Sequence, residues 1–226
     1  MDPDIKSLMC QRDKWYGDAI EYWKEVSADL DGMLGGYEKI SPIELDASRK
    51  FLAELKKKSI WTSGCERALD CGAGIGRVAK HLLIPVFNKV DLLEQNANFL
   101  TAANNYLSGN SEKVGNLIPE GIQDFKPKEK MYDIIWFQWV VGHLTDDDFV
   151  TSLQRFKDSL KNGGLICIKD NVAGGEAVFD NNDSSVTRTH EQFVKIFRAA
   201  GLTIRLKETQ RNLPRELYKV NMYALS

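Results

Sequence analysis

One stretch constrains the fold more than any other: Ala68-Leu69-Asp70-Cys71-Gly72-Ala73-Gly74-Ile75-Gly76-Arg77, an apolar run that breaks into three alternating glycines and then resumes. Arg67 to Leu69 suit a short buried strand, and Val78, Leu82 and Leu83 recur at helical spacing, so the glycines fall at a strand-to-helix turn. Ligands bind at such turns in open parallel sheets, where the helix that follows aims unpaired N–H groups at an anion. Glycine serves there because the turn demands positive φ and a side chain would keep a ligand off the backbone. The spacing is G-x-G-x-G, not the G-x-G-x-x-G of dinucleotide folds. A second strand, Lys89 to Glu94, ends in an acid at the distance expected of a ribose-hydroxyl acceptor.

A chain of 226 residues suits one α/β core with a short extension better than two full domains. We divide it into an N-terminal helical extension or lid, 1–60, and a core, 61–226. The formal net charge of -2 carries no footprint for nucleic acid, and Lys56-Lys57-Lys58 reads as a solvated helix end. Met1-Asp2-Pro3-Asp4 lacks the basic start and apolar core of a signal peptide, and no apolar run approaches membrane-spanning length. A soluble intracellular protein is the expectation. Cys10, Cys65, Cys71 and Cys167 form no C-x-x-C pair and read as reduced thiols, and no metal-ligand spacing is present.

Trp15, Ala19, Tyr22, Trp23 and Val26 mark one face of a helix over 14–26, followed by a flexible loop over Asp31–Tyr37. Ser41-Pro42-Ile43-Glu44 has the pattern of a capping box, opening a helix that buries Phe51, Leu52 and Leu55. Phe99 to Tyr106 predicts a helix, Gly115 to Pro119 a third strand, and Tyr132 to Trp139 a central one. Thr145-Asp146-Asp147-Asp148 caps a helix that Lys161-Asn162-Gly163-Gly164 closes, before a buried strand over Leu165–Lys169. Asn171 to Thr187 reads as a long polar loop of the kind that carries function. Thr189-His190-Glu191-Gln192 is a second capping box, leading into a helix that stops at Gly201, and two last strands span Leu202–Lys207 and Lys219–Leu225. The alternation argues a mostly parallel sheet with helices on both faces.

The carboxyl ends of the strands hold Gln138, Trp139, His143, Asp170 and Asn171, with Asp180 and Asp183 in the loop beyond. An aromatic wall, an imidazole, a carboxamide and several carboxylates suit a cationic, amine-bearing substrate. An α-amino group titrates near pH ~8, so a base such as His143 can supply the neutral nucleophile at modest cost. Asp183 shares that role or orients the amine, Asn171 accepts from it, and Trp139 stacks on it or binds it by cation–π attraction. Each residue has a structural alternative: a hydrogen-bonded histidine, core tryptophans, turn aspartates.

The glycine motif resembles that of class I S-adenosylmethionine-dependent methyltransferases. Five blocks narrow the resemblance: Asp31 to Tyr37, Ala68 to Arg77, Trp136 to Thr145 (W-x-Q-W-x-x-G-H-L-T), Ile168 to Asn171, and Asp183 to Val186. They look like the protein N-terminal Xaa-Pro-Lys/Arg methyltransferases, from about Tyr22 to the C-terminus. The resemblance implies a Rossmann-like, mostly parallel seven-stranded sheet with an antiparallel edge. It implies methyl transfer to the α-amine of proteins that begin Xaa-Pro-Lys or Xaa-Pro-Arg after loss of methionine, in nucleus or cytoplasm. Gly72, Gly74, Arg77, Glu94, Gln95, Ile122, Gln123 and Gln138 would bind S-adenosylmethionine. Leu34, Trp139, Asn171 and Tyr218 would hold the first peptide residues. His143 and Asp183 would remove the amine proton, with Asn171 beside them, and Asp180, Asp183 and Ser185 would receive the basic third residue. The chain departs from the family pattern at Glu94-Gln95, where an aspartate and an apolar residue are usual, and in the extra glycine and asparagine of 174–182. A methyltransferase of small amines and an inactive reader of basic N-terminal tails are the rival readings.

Overall fold

Along strands that are buried almost throughout, side chains alternate between two faces, and this decides the layering. In a computed structural model that describes residues 3–226, seven strands form one sheet in the order β3-β2-β1-β4-β5-β9-β8. These are β1 (Arg67–Cys71), β2 (Lys89–Leu93), β3 (Val114–Ile118), β4 (Tyr132–Gln138), β5 (Leu160–Val172), β8 (Ile204–Thr209) and β9 (Lys219–Leu225). The pairs from β3 through β5 are parallel, and β9 and β8 close the sheet antiparallel. Ile135 and Phe137 of β4 pack on one face with Leu69 and Cys71; Ile134 and Trp136 pack on the other with Ala68. Successive strand residues thus feed two cores, as a sheet buried on both sides requires.

The first core is covered by α1 (Pro3–Met9), α2 (Arg12–Glu25), α6 (Asp146–Asp158) and α7 (His190–Ala199). The second is covered by α4 (Ser41–Lys57), the helix whose π turn spans Ala79–Leu83, and α5 (Ala97–Tyr106). Met1 and Asp2, the first residues of the expected extension, lie outside the described residues. The N-terminal helices therefore reach both faces: Trp15 and Tyr16 lie in one core, and Phe51 and Leu55 in the other.

Helix boundaries follow the capping chemistry in two places. Thr145 accepts from the N–H of Asp148, and the box of Thr189 and Gln192 is complete. Four expectations change. Ser41-Pro42-Ile43-Glu44 is no capping box: α4 begins at Ser41 without a side-chain cap, because Glu44 is drawn into the core by cations. Lys161 to Gly164 do not close α6, which stops at Asp158; they bulge within β5, whose pairing with β4 slips between Leu160 and Leu165. The first part of the expected loop, through Met33, is instead the end of α3 (Leu30–Met33), which Asp29 caps. Finally, 171–187 is no continuous loop: β5 runs on to Val172, and β6 (Val178–Asp180) pairs antiparallel with β7 (Ser185–Thr187). Its strands, Val-Phe-Asp and Ser-Val-Thr, are too short for a period of two to stand out from the polar residues around them.

Candidate active site

At the end of β1 the chain turns through Gly72 and Gly74, with φ of 67° and 54°. Leu93 O accepts from the N–H groups of Gly72 and Ala73 at 2.8 and 3.1 Å. A Cβ on Gly74 would lie 2.5 Å from Met33 Sδ, so the Met33 side chain rests on the glycine turn and would have to move aside, and the positive φ would strain any other residue there. Gly74 N–H donates to Glu94 Oε2 and Asn96 N–H to Oε1, both at 2.9 Å. Burial, the largest influence, pushes the Glu94 carboxyl up despite these backbone bonds.

A cavity of about 420 Å³ opens above this turn. Gly72, Gly74, Arg77, Glu94, Gln95, Ile122, Gln123 and Gln138, dispersed over 67 positions of sequence, all line it. Met33 and Trp23 join them from the N-terminal helices, as does Phe99 from α5. Beneath lies a buried ionic cluster. Glu44 accepts from Arg77, from Lys169 Nζ at 2.7 Å and from Gln138 Nε2 at 2.8 Å. Ser41 Oγ accepts from Arg77 at 3.1 Å, and Ser48 Oγ from Lys169 at 2.9 Å. Burial alone would raise the Glu44 carboxyl, but Arg77 and Lys169 outweigh it and hold it below the usual range. Burial pulls Lys169 down to about 8 against the opposing pull of Glu44. Two cations against one carboxylate leave the cluster a positive charge under the cavity floor.

β4 ends beside this floor in a strained backbone: Trp139 has a φ of 53°, an aromatic residue in left-handed space. Its N–H donates to Lys169 O at 3.0 Å, and Arg77 and Lys169 lie 5.8 and 6.0 Å from its ring. Asp170 then accepts from the N–H groups of Val140 and Val141, both at 3.2 Å. The turn Val141–His143 presents His143, which lines the cavity wall. Trp23 Nε1 donates to His143 Nε2 at 3.1 Å; an indole only donates, so Nε2 is an unprotonated acceptor. Burial lowers the imidazole pKa, with Asp183 opposing.

A second, polar cavity lies beyond, lined by Asn171, Asp180, Asp183, Ser185 and Tyr218. Asp183 lines only this second cavity, but its Oδ2 lies 3.9 Å from Nε2 of His143, which lines the first, and its Oδ1 is buried without a hydrogen-bond partner. Leu34 stands apart: it caps the end of α3, is buried, and lines neither cavity. Sequence reasoning missed Glu44, Lys169 and Met33 at the site. A signal for the first pair existed: Glu44 and Ser48 share the helical face of Phe51 and Leu55, and Lys169 ends an apolar strand, so each polar group needed a buried partner.

A glycine turn with no room for side chains, an acid at the end of β2 and a net positive floor fit the backbone, ribose and carboxylate needs of S-adenosylmethionine. Fold and site together define a class I S-adenosylmethionine-dependent methyltransferase. Residues 11–226 match the family described as AdoMet dependent proline di-methyltransferase, and the chain belongs to that family. It is 46% identical to N-terminal Xaa-Pro-Lys N-methyltransferase 1 of Bos taurus over 212 residues, covering 94% of this chain and 95% of that one. The Homo sapiens protein of the same name is 44% identical with the same coverage. Among solved structures, a SAM-dependent methyltransferase of Leishmania major superposes with a TM-score of 0.89 at 35% identity, covering 94% of this chain and 83% of that one.

Proposed function

We propose that this enzyme methylates the free α-amino group of proteins that begin Xaa-Pro-Lys or Xaa-Pro-Arg once the initiator methionine is gone. The observation that carries the reading is Asp183, which lines the second cavity 3.9 Å from His143 of the first and whose Oδ1 is a buried acceptor without a donor. A buried carboxylate oxygen calls for an N–H, and a substrate ammonium brings three. The names of the relatives supply the peptide class, and the acids of the second cavity suit its basic third residue.

In this reading Gly72, Gly74, Arg77, Glu94, Gln95, Ile122, Gln123 and Gln138 hold the donor, which when bound supplies an electrophilic methyl on a sulfonium. Asp183 receives the ammonium and, with His143, takes one proton, which frees the nitrogen lone pair. An α-amine titrates near ~8, so this deprotonation is inexpensive at neutral pH. Asn171 accepts a hydrogen bond from the same nitrogen and so aims it. Trp139 and Tyr218 hold the first two residues, without Leu34, which lines neither cavity, and Asp180, Asp183 and Ser185 hold the third. Within the extension 1–60, α2 and α3 act as a lid through Trp23 and Met33, whereas α4 supplies Glu44 to the cavity floor. Action in nucleus or cytoplasm goes with the family resemblance.

The test is intact-mass analysis of a Ser-Pro-Lys peptide incubated with S-adenosylmethionine. Mass gains of one or more methyl groups, lost on N-terminal acetylation, are expected. Preference for free small amines would replace the substrate class, and peptide binding without mass gain would make the chain a reader. Asp183→Asn should lower kcat by about a hundredfold or more and leave cofactor affinity nearly unchanged, with His143→Phe a smaller effect of the same kind.

A further inference from the structure

The two groups proposed to take the amine proton sit on separate pieces of backbone. His143 belongs to the turn over Val141–His143, and Asp183 to the connection between β6 and β7. Their 3.9 Å separation is therefore set by whatever joins those pieces. We propose that Arg188, with Gly142, sets it, making Arg188 a positioning residue for proton removal; this rests on the roles given above to His143 and Asp183.

Arg188 follows β7 by one residue, so its backbone moves with the hairpin, and its own carbonyl accepts from Ala173 N–H at 2.9 Å. Its side chain is fully buried and reaches the other piece. Nη1 donates to Val141 O at 2.8 Å and Nη2 to Leu144 O at 2.6 Å, bracketing His143 on both sides. Nε donates to Asp146 Oδ1 at 2.8 Å, which locks the guanidinium plane. Trp15 Nε1 takes the carbonyl between them, His143 O, at 2.6 Å. Burying a guanidinium is costly, and an apolar side chain would fill the same space more cheaply. What the planar fork alone supplies is a fixed angle between two carbonyls, which a lysine with one flexible nitrogen cannot reproduce.

Gly142 makes the close approach possible. A Cβ there would stand 3.2 Å from Val186 O and 3.5 Å from Ser185 Cβ, so even alanine requires the turn and β7 to part by a few tenths of an ångström. One residue thus pulls the turn and the hairpin together, and the other removes the obstacle.

Arg188→Lys and Gly142→Ala are compared with the wild type, Asp183→Asn and His143→Phe. The readouts are kcat and KM on a Ser-Pro-Lys peptide, S-adenosylhomocysteine affinity by calorimetry, and circular dichroism. The expected result is a fall in kcat of about ten- to a hundredfold in both new variants. S-adenosylhomocysteine affinity should stay within about twofold of wild type, because none of the residues proposed to hold the donor lies on the turn or the hairpin. Unchanged kcat, or kcat and cofactor affinity falling together, overturns the proposal in favour of a purely structural arginine. Should Arg188→Lys fail to fold, Gly142→Ala, which keeps every Arg188 bond, decides by the same criteria. If Asp183→Asn and His143→Phe keep full kcat, the proton-removal reading itself falls. If they lose it while Arg188→Lys and Gly142→Ala do not, only the positioning proposal is overturned.

Discussion

Trp23 offers one N–H and no lone pair, and that fact decides the state of the histidine beside it. By donating to Nε2 it stabilises the neutral ring, in the same direction as burial. Trp23→Phe keeps the ring and removes the donor, so the His143 pKa should rise toward its ordinary value near ~6.5. Titration of the His143 ring by NMR checks this; an unmoved or lower pKa would show that burial alone holds the imidazole neutral. The helical face containing Trp23 was legible from spacing, whereas its partner, 120 residues away, was not. Periodicity says that a side chain points inward and is silent about what it meets.

At the scale of elements, α4 is the clearest case of a segment whose role changes on folding. Its first turn has the composition of a cap, yet Glu44 serves three donors from β4, β5 and the glycine turn. Removing that anion leaves Arg77 and Lys169, respectively 6% and 0% exposed at their side chains, without a carboxylate. Glu44→Ala should therefore lower unfolding free energy by about 3–5 kcal/mol, read from urea denaturation. The same variant with Lys169→Met should recover part of the loss, since one stranded cation is gone. The strands, their order of appearance and two of the three capping sites could be read in the chain. The hairpin of β6 and β7 could not, because each strand is three residues long, too short for a period to show.

For the molecule as a whole, the buried acids make stability depend on pH. Burial raises Asp70 to about 7 and Asp170 to about 6, above the ~3.9 of an unfolded chain. Between these limits the folded state binds more protons, so both contributions are complete below about pH 4 and are lost as pH climbs through the raised values. His143 acts in the opposite sense, its lowered pKa costing stability as pH falls below ~6.5. Comparing urea midpoints at several pH values between 4 and 8 should show a smaller decline across this window in Asp70→Asn than in the wild type. An equal decline would mean that Asp70 is ionised in the folded protein throughout. Among the described residues no helix is long and apolar enough to cross a membrane.

What the amino-acid order determined by itself is local: the glycine turn between strand and helix, the alternation of elements, and the types of residue at the strand ends. Those follow from φ preferences, from the 2.0 and 3.6 periods and from capping, all of which act over a few positions. Tertiary structure alone decided which charges meet. Glu44 finds Lys169 across 125 positions, Arg188 spans hairpin and turn, and Asp183 comes within reach of His143 only when the sheet closes between them. Pairing in a core is dictated by distance in space and by the cost of leaving a buried polar group alone, and neither is written in sequence spacing.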